Sequence, residues 1–266
     1  MSLLALAVAT AVVAAVRSTW SPCGLSMLST LTPLSERARG RRWGWTAGWY
    51  LAGAVFGGAG LGVLAAAGAT AVGAVGPPSV AVWSAVAVLA LAGFAADRGL
   101  VAPIPHHRRQ VNEHWLDQFR SWFYGFGFGA QIGFGLATYI MTTGVYLTIL
   151  LGAATGHPVQ AFAVGVLFGT VRGAAVGLSA GLDRPERVRA LHARLDAWSD
   201  RSRWLAAAWL AVVAVVAGLA VGVAGGLAAA VAAGTVSVLA RRLRRAGTNV
   251  PVAGQPAADV RVAAGS

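Results

Sequence analysis

The chain has 266 residues, of which 57% are apolar and only 11% charged, and its mean hydropathy is +0.66. A soluble domain carries roughly twice that share of charge, so the composition excludes one and predicts an all-α, polytopic integral membrane helix bundle. The 21 basic residues, all arginine, outnumber nine carboxylates, but they lie between long apolar runs, where they report orientation and not nucleic-acid binding.

The first apolar run, Leu3–Leu34, is too long for one straight helix, since about 20 residues cross a bilayer core. Trp20-Ser21-Pro22-Cys23-Gly24 sits in its middle. Proline removes a backbone donor and clashes with the preceding turn, so the helix is expected to break there. Ser18, Thr19, Ser21, Ser26, Ser29 and Thr30 surround the break and supply a polar lining, which irregular backbone at membrane depth requires. No basic residue precedes Arg17, which argues against a cleaved signal peptide and places the N-terminus outside.

Four further runs follow: Trp43–Leu64, Val80–Ala96, Tyr124–Leu151 and Val159–Leu182. Arginines cluster after the first, third and fifth runs, at Arg37–Arg42, Arg98–Arg120 and Arg184–Arg203, whereas Ala65–Ser79 and Gly152–Pro158 hold none. Alternate connections therefore lie on opposite sides, with the arginine-rich set cytoplasmic. Trp43, Trp45, Trp49, Trp115, Trp122, Trp198 and Trp204 flank that set, as an interfacial aromatic belt does. The last run, Leu205–Ala240, would extend about 54 Å as a single helix. Two crossings turning near Gly225-Gly226 satisfy its length and keep Arg241–Arg245 inside. The expectation is seven spans, with one long tilted helix and six spans as the alternative.

Residues 1–246 are expected to form one transmembrane domain and 247–266, with Pro251 and Pro256, a disordered cytoplasmic tail. Within the domain, Trp115, Phe119, Trp122 and Phe123 recur at helical spacing, which predicts an interfacial amphipathic helix over about 106–123. His106, His107 and His114 lie in it; a metal there would need a ligand from elsewhere, and none is expected. Glycines recur every fourth residue at Gly125, Gly129 and Gly133, at Gly165, Gly169, Gly173, Gly177 and Gly181, and at Gly218, Gly222 and Gly226. Such spacing lets another helix backbone approach closely.

The broken first span carries a resemblance. Ser21-Pro22-Cys23 followed by Leu25, Met27 and Leu28 resembles the first helix of the CcdA/DsbD-type transmembrane proteins of cytochrome c biogenesis, within the lysine-exporter-like group. The resemblance implies two inverted three-helix repeats, an outside N-terminus and a cysteine at each broken helix, the pair carrying electrons by thiol–disulfide exchange. The chain departs from that pattern in the fourth span, where Gly129-Ala130-Gln131-Ile132-Gly133 and Thr138-Tyr139-Ile140-Met141-Thr142-Thr143 hold neither proline nor cysteine. Cys23 is the single cysteine, so a second sulfur to resolve a mixed disulfide would have to come from a partner.

Arg17 and Arg172 lie within predicted spans, and none of the nine carboxylates does. A cation deep in the bilayer costs at least ~2.5–3.5 kcal/mol and calls for compensation. A planar guanidinium suits recognition of a carboxylate or oxyanion. The expected function is therefore a transporter-like membrane protein, in the bacterial cytoplasmic membrane, with a central polar site for a small anionic solute. That site would be formed by Arg172, Arg17, Gln131, Thr138, Thr142, Ser21, Pro22 and Cys23. One alternative is a thiol–disulfide electron carrier in which Cys23 works with a separate redox partner. Another is a structural or assembly subunit of a membrane complex, its arginine-rich loops binding a partner or anionic headgroups. No cofactor is expected: a phosphate-binding loop is missing, and the five histidines fall outside the predicted membrane core, which argues against haem.

Overall fold

The computed structural model describes residues 2–100 and 119–248. Its helices are α1 (Leu3–Arg17), α2 (Pro22–Thr30), α3 (Pro33–Ala38), α4 (Trp43–Val75), α5 (Ser79–Asp97), α6 (Ser121–Phe134), α7 (Gly144–Ala154), α8 (Pro158–Ala174), α9 (Pro185–Val221) and α10 (Val223–Thr248). Tight 3-10 turns follow α1 at Ser18–Trp20 and α8 at Ala175–Ser179. Among the described residues there is no strand, and six helical segments are long and apolar enough to cross a membrane: Leu3–Trp20, Trp43–Val75, Ser79–Asp97, Pro158–Ser179, Pro185–Val221 and Val223–Ala240. Most of the expected interfacial helix, with His106, His107 and His114, lies outside the described residues, as does the expected tail from 249 onward.

Local chemistry ends α1 where the sequence predicts. Ser21 is extended (φ −68°, ψ 153°), its side chain accepts from the Gly24 backbone N–H at 3.1 Å, and Pro22 occupies the first position of α2. Serine at the cap and proline at the first helical position are the residues a helix start favours. Downstream, the Thr32 and Ser35 side chains cap one another's backbone and start α3.

α4 is the central post, lying between α6 and α8 with almost no side chain in either seam. A Cβ on Gly129 would collide with the Tyr50 carbonyl and one on Gly133 with that of Ala54. On the other face, a Cβ on Gly58 would fall 2.7 Å from the Gly165 carbonyl oxygen, and one on Gly62 2.5 Å from that of Phe162. The order of these meetings sets the directions. Phe126 faces Gly53 and Ala130 faces Gly57, so α6 runs parallel to α4; Gly165 faces Gly62 and Gly169 faces Gly58, so α8 runs antiparallel. Close backbone approach yields dense van der Waals contact, which drives helix association where lipid competes equally for apolar side chains. Gly177 and Gly181 lie beyond the end of α8, and a Cβ at either would meet open space; the expected glycine groove therefore stops at Gly173.

Several boundaries differ from expectation. α4 continues past Leu64 to Val75 and ends on left-handed Gly76, so most of the expected external connection is helix. The arginine-rich stretch from Pro185 to Arg203, expected as a loop, is the first half of one continuous α9. α9 and α10 fold back on one another at Gly222, a few residues before Gly225-Gly226. A Cβ on Gly218 would lie 2.7 Å from the Gly225 carbonyl oxygen, whereas a continuous helix would set those residues about 10 Å apart. The run Tyr124–Leu151, expected as unbroken, is interrupted. Gly135 takes φ +75° at the end of α6 and helix resumes only at Gly144.

Candidate functional site

Arg172 occupies the last turn of α8 and is 3% exposed. Its Nη1 donates to the Ile132 carbonyl at 2.8 Å, and its Nη2 donates to Thr138 Oγ1 at 3.1 Å. Ile132 belongs to the last turn of α6, where its carbonyl also accepts from the Gly135 N–H at 3.1 Å and the helix dipole is negative. Arg172 thus caps the first half of the interrupted helix and ties down the break itself through Thr138. Among the described residues no carboxylate forms an ion pair with it. Tyr50 and Cys23 lie near enough to act on it, and its guanidinium carbon is 5.9 Å from the Phe168 ring centroid.

Tyr50 was not anticipated. It is fully buried in α4, and its hydroxyl has no hydrogen-bond partner among the described residues. A buried hydroxyl left unpaired costs about 1–3 kcal/mol, and this one lies within electrostatic reach of the Arg172 guanidinium. Cys23, 2% exposed at the first turn of α2, packs in the same cluster as Met27, Tyr50 and Ile132. Pro22 and the fully buried Ser21 serve the start of α2, the Ser21 hydroxyl being taken by Gly24. The two interrupted helices therefore meet around Arg172.

The other expected site residues gather elsewhere. Thr142 Oγ1 donates to Asp97 Oδ2 at 2.6 Å, and the Thr143 backbone N–H donates to Asp97 Oδ1 at 2.9 Å. Thr142 in turn accepts from the Gly144 N–H at 3.1 Å, so Asp97 holds the start of α7, the positive end of that helix. Arg17, 4% exposed, donates from Nη1 to Ser202 Oγ at 3.0 Å and attracts Asp97. Next to Asp97, the Arg98 guanidinium carbon lies 3.4 Å from the Trp204 ring centroid, a cation–π stack. Gln131 is half-buried on α6 and takes part in neither set of bonds. The expectation of one site holding Arg17, Gln131, Thr142 and Arg172 is corrected to two clusters. Arg172, Thr138 and Cys23 share one; Arg17 and Thr142 belong to the other, because Asp97 offers them a charge that the Arg172 cluster lacks.

The carboxylates require the second correction. Asp97 is the final residue of a membrane-long helix, although its neighbour Arg98 marks the stretch as a cytoplasmic border in the sequence. Glu36 is fully buried on α3, accepting from Thr46 Oγ1 at 2.6 Å and from the Tyr124 hydroxyl, with Arg39 Nη1 at 3.8 Å. The paired hydroxyls of Thr142-Thr143 were the available sign of a polar partner for Asp97. No sequence signal singled out Tyr50. Among the described residues, no three His, Cys, Asp or Glu side chains group as metal ligands.

No family model matches the chain, and no solved structure matches it. The chain is similar to the methylamine utilization protein MauF of Paracoccus denitrificans, 33% identical over 220 residues that cover 80% of this chain and 74% of that protein. It is 32% identical to MauF of Methylophilus methylotrophus over 180 residues, 63% of this chain and 60% of that protein. It is also 31% identical to MauF of Paracoccus versutus over 153 residues, 57% of this chain and 56% of that protein.

Proposed function

This chain belongs to the MauF family of methylamine utilization proteins, and from that premise we propose that it serves methylamine utilization as a multi-pass membrane transporter for a small anionic solute. The solute binds at Arg172. One observation carries this reading: among the described residues, a guanidinium 3% exposed donates to a carbonyl and a hydroxyl and lies over the Phe168 ring, with no carboxylate paired to it, beside a Tyr50 hydroxyl that has no partner there. Those neutral acceptors orient the cation without cancelling its charge, and an anion bound there would accept from both the guanidinium and Tyr50. In this reading the chain crosses the bacterial cytoplasmic membrane seven times with its N-terminus outside. The parallel course of α6 with α4 and the fold-back of α10 at Gly222 support that count.

A second reading, thiol exchange at Cys23 with a separate redox partner, is favoured by the position of Cys23 on the interrupted first span, in the same buried cluster as Tyr50 and Ile132. The resemblance to the CcdA/DsbD-type proteins belongs with it. One experiment separates the two. A host whose growth on methylamine depends on this protein is complemented with Arg172→Gln or Cys23→Ser, and the protein present in its membranes is quantified. We expect Arg172→Gln to abolish growth at normal protein level and Cys23→Ser to slow it only slightly. Wild-type growth with Arg172→Gln overturns the solute site; abolished growth with Cys23→Ser moves the function to the thiol.

A further inference from the structure

The nine-residue break between α6 and α7 is pinned near one end by Arg172, through Thr138, and at the other by Asp97, through Thr142 and Thr143. Only a few residues separate the two anchors along the chain. We propose that Asp97 is the proton-binding site that drives the transporter. A proton taken up there releases the start of α7, and the freed break loosens Thr138 and opens the Arg172 site. The inference rests on the reading of Arg172 as the solute site and names what that reading lacks, a coupling ion.

The chemistry is a single proton transfer. An ionised carboxylate is an acceptor only, and here its two oxygens take one bond each from Thr142 and from the Thr143 backbone. Protonated, Asp97 becomes neutral, carries a donor of its own and loses the charge that strengthens both bonds. It also stops complementing the positive end of α7. Asp97 is half-buried, so it is held in low dielectric, where those bonds matter, without being sealed from protons. The groups around it come from every packed element. Arg17 on α1 attracts it; Asp200 and Arg203 on α9 act on Arg17; Arg98 follows it in the chain; and Tyr146 on α7 lines a cavity of about 200 Å³ that it shares with Ala96 and Thr143. Proton uptake leaves Arg17 with the attraction of Asp200 and its bond to Ser202.

Hydrogen–deuterium exchange of the amides in 135–143 tests this on the full chain in lipid nanodiscs, at about pH 8 and about pH 5, corrected for the intrinsic pH dependence of exchange. In the wild type we expect exchange to rise about tenfold or more on acidification, the size of one lost charge-assisted bond. Asp97→Asn should exchange at the raised rate at both pH values, and Asp97→Glu should follow the wild type. Equal wild-type exchange at the two pH values, or a pH response retained in Asp97→Asn, overturns the inference. If Asp97→Asn does not fold, Thr142→Val takes its place: removing one of the two bonds must shrink the response, and an unchanged response overturns the proposal. Arg172→Gln separates the two readings, because the Asp97 end stays intact in it. A flat wild-type exchange profile together with lost growth in Arg172→Gln sinks the proton site and leaves the solute site standing.

Discussion

The two interrupted helices break for opposite reasons. Between α1 and α2 the interruption is a few residues long and is made by neighbours in sequence: Ser21 caps Gly24, and Pro22 has no N–H to give. Between α6 and α7 it runs from Gly135 to Thr143, has no proline, and is held by charges from other helices, Arg172 of α8 and Asp97 of α5. A break written locally forms wherever that segment is placed. A break written by remote charges exists only once the bundle has assembled, and it changes when those charges change. The second is therefore the one suited to moving during a functional cycle.

Substitutions at the anchors sharpen this contrast. Arg172→Met is expected to cost the most, about 3 kcal/mol, because it removes two charge-assisted bonds worth about 1.5 kcal/mol each; reversible unfolding in mixed micelles measures it. A cost below that of a surface substitution would mean that Arg172 is not the anchor of α6. Asp97→Ala comes next, at about 2 kcal/mol in the same assay, with its loss falling on α7 and not on α2. Ser21→Ala is expected to cost least, about 1 kcal/mol, as loss of one N-cap, and to leave exchange in 135–143 unaltered. If Ser21→Ala instead loosened 135–143, the two breaks would be one mechanical unit and the contrast would fall.

The energetic setting explains why α4 tolerates such partners. Its glycines admit the α6 and α8 backbones so closely that Gly129, Gly133, Gly58 and Gly165 leave no space for a Cβ. That frame is closely packed, and the polar clusters lie between its members. Tyr50 illustrates the result: its backbone carbonyl lies against Gly129 while its ring and hydroxyl are buried beside the Arg172 cluster. Loss of either seam would displace the site without touching a polar residue.

Much of this was legible beforehand. The apolar runs, the break at Ser21-Pro22, the glycine seams at Gly125–Gly133 and Gly165–Gly173, and the stranded Arg172 follow from residue chemistry that acts over a few positions: helix length against bilayer thickness, proline geometry and the small volume of glycine. The partners of the charges were not legible. Whether Arg17 turns to the Arg172 cluster or to Ser202, whether Asp97 at the end of α5 faces a loop or binds the start of α7, and whether Tyr50 is left unpaired depend on which helices lie side by side. Those adjacencies are chosen by backbone-to-backbone packing along α4 and by the fold-back at Gly222, and polar groups in low dielectric then pair with whatever the packing presents. Local sterics decided where each helix could run; long-range packing decided which buried charge each one met.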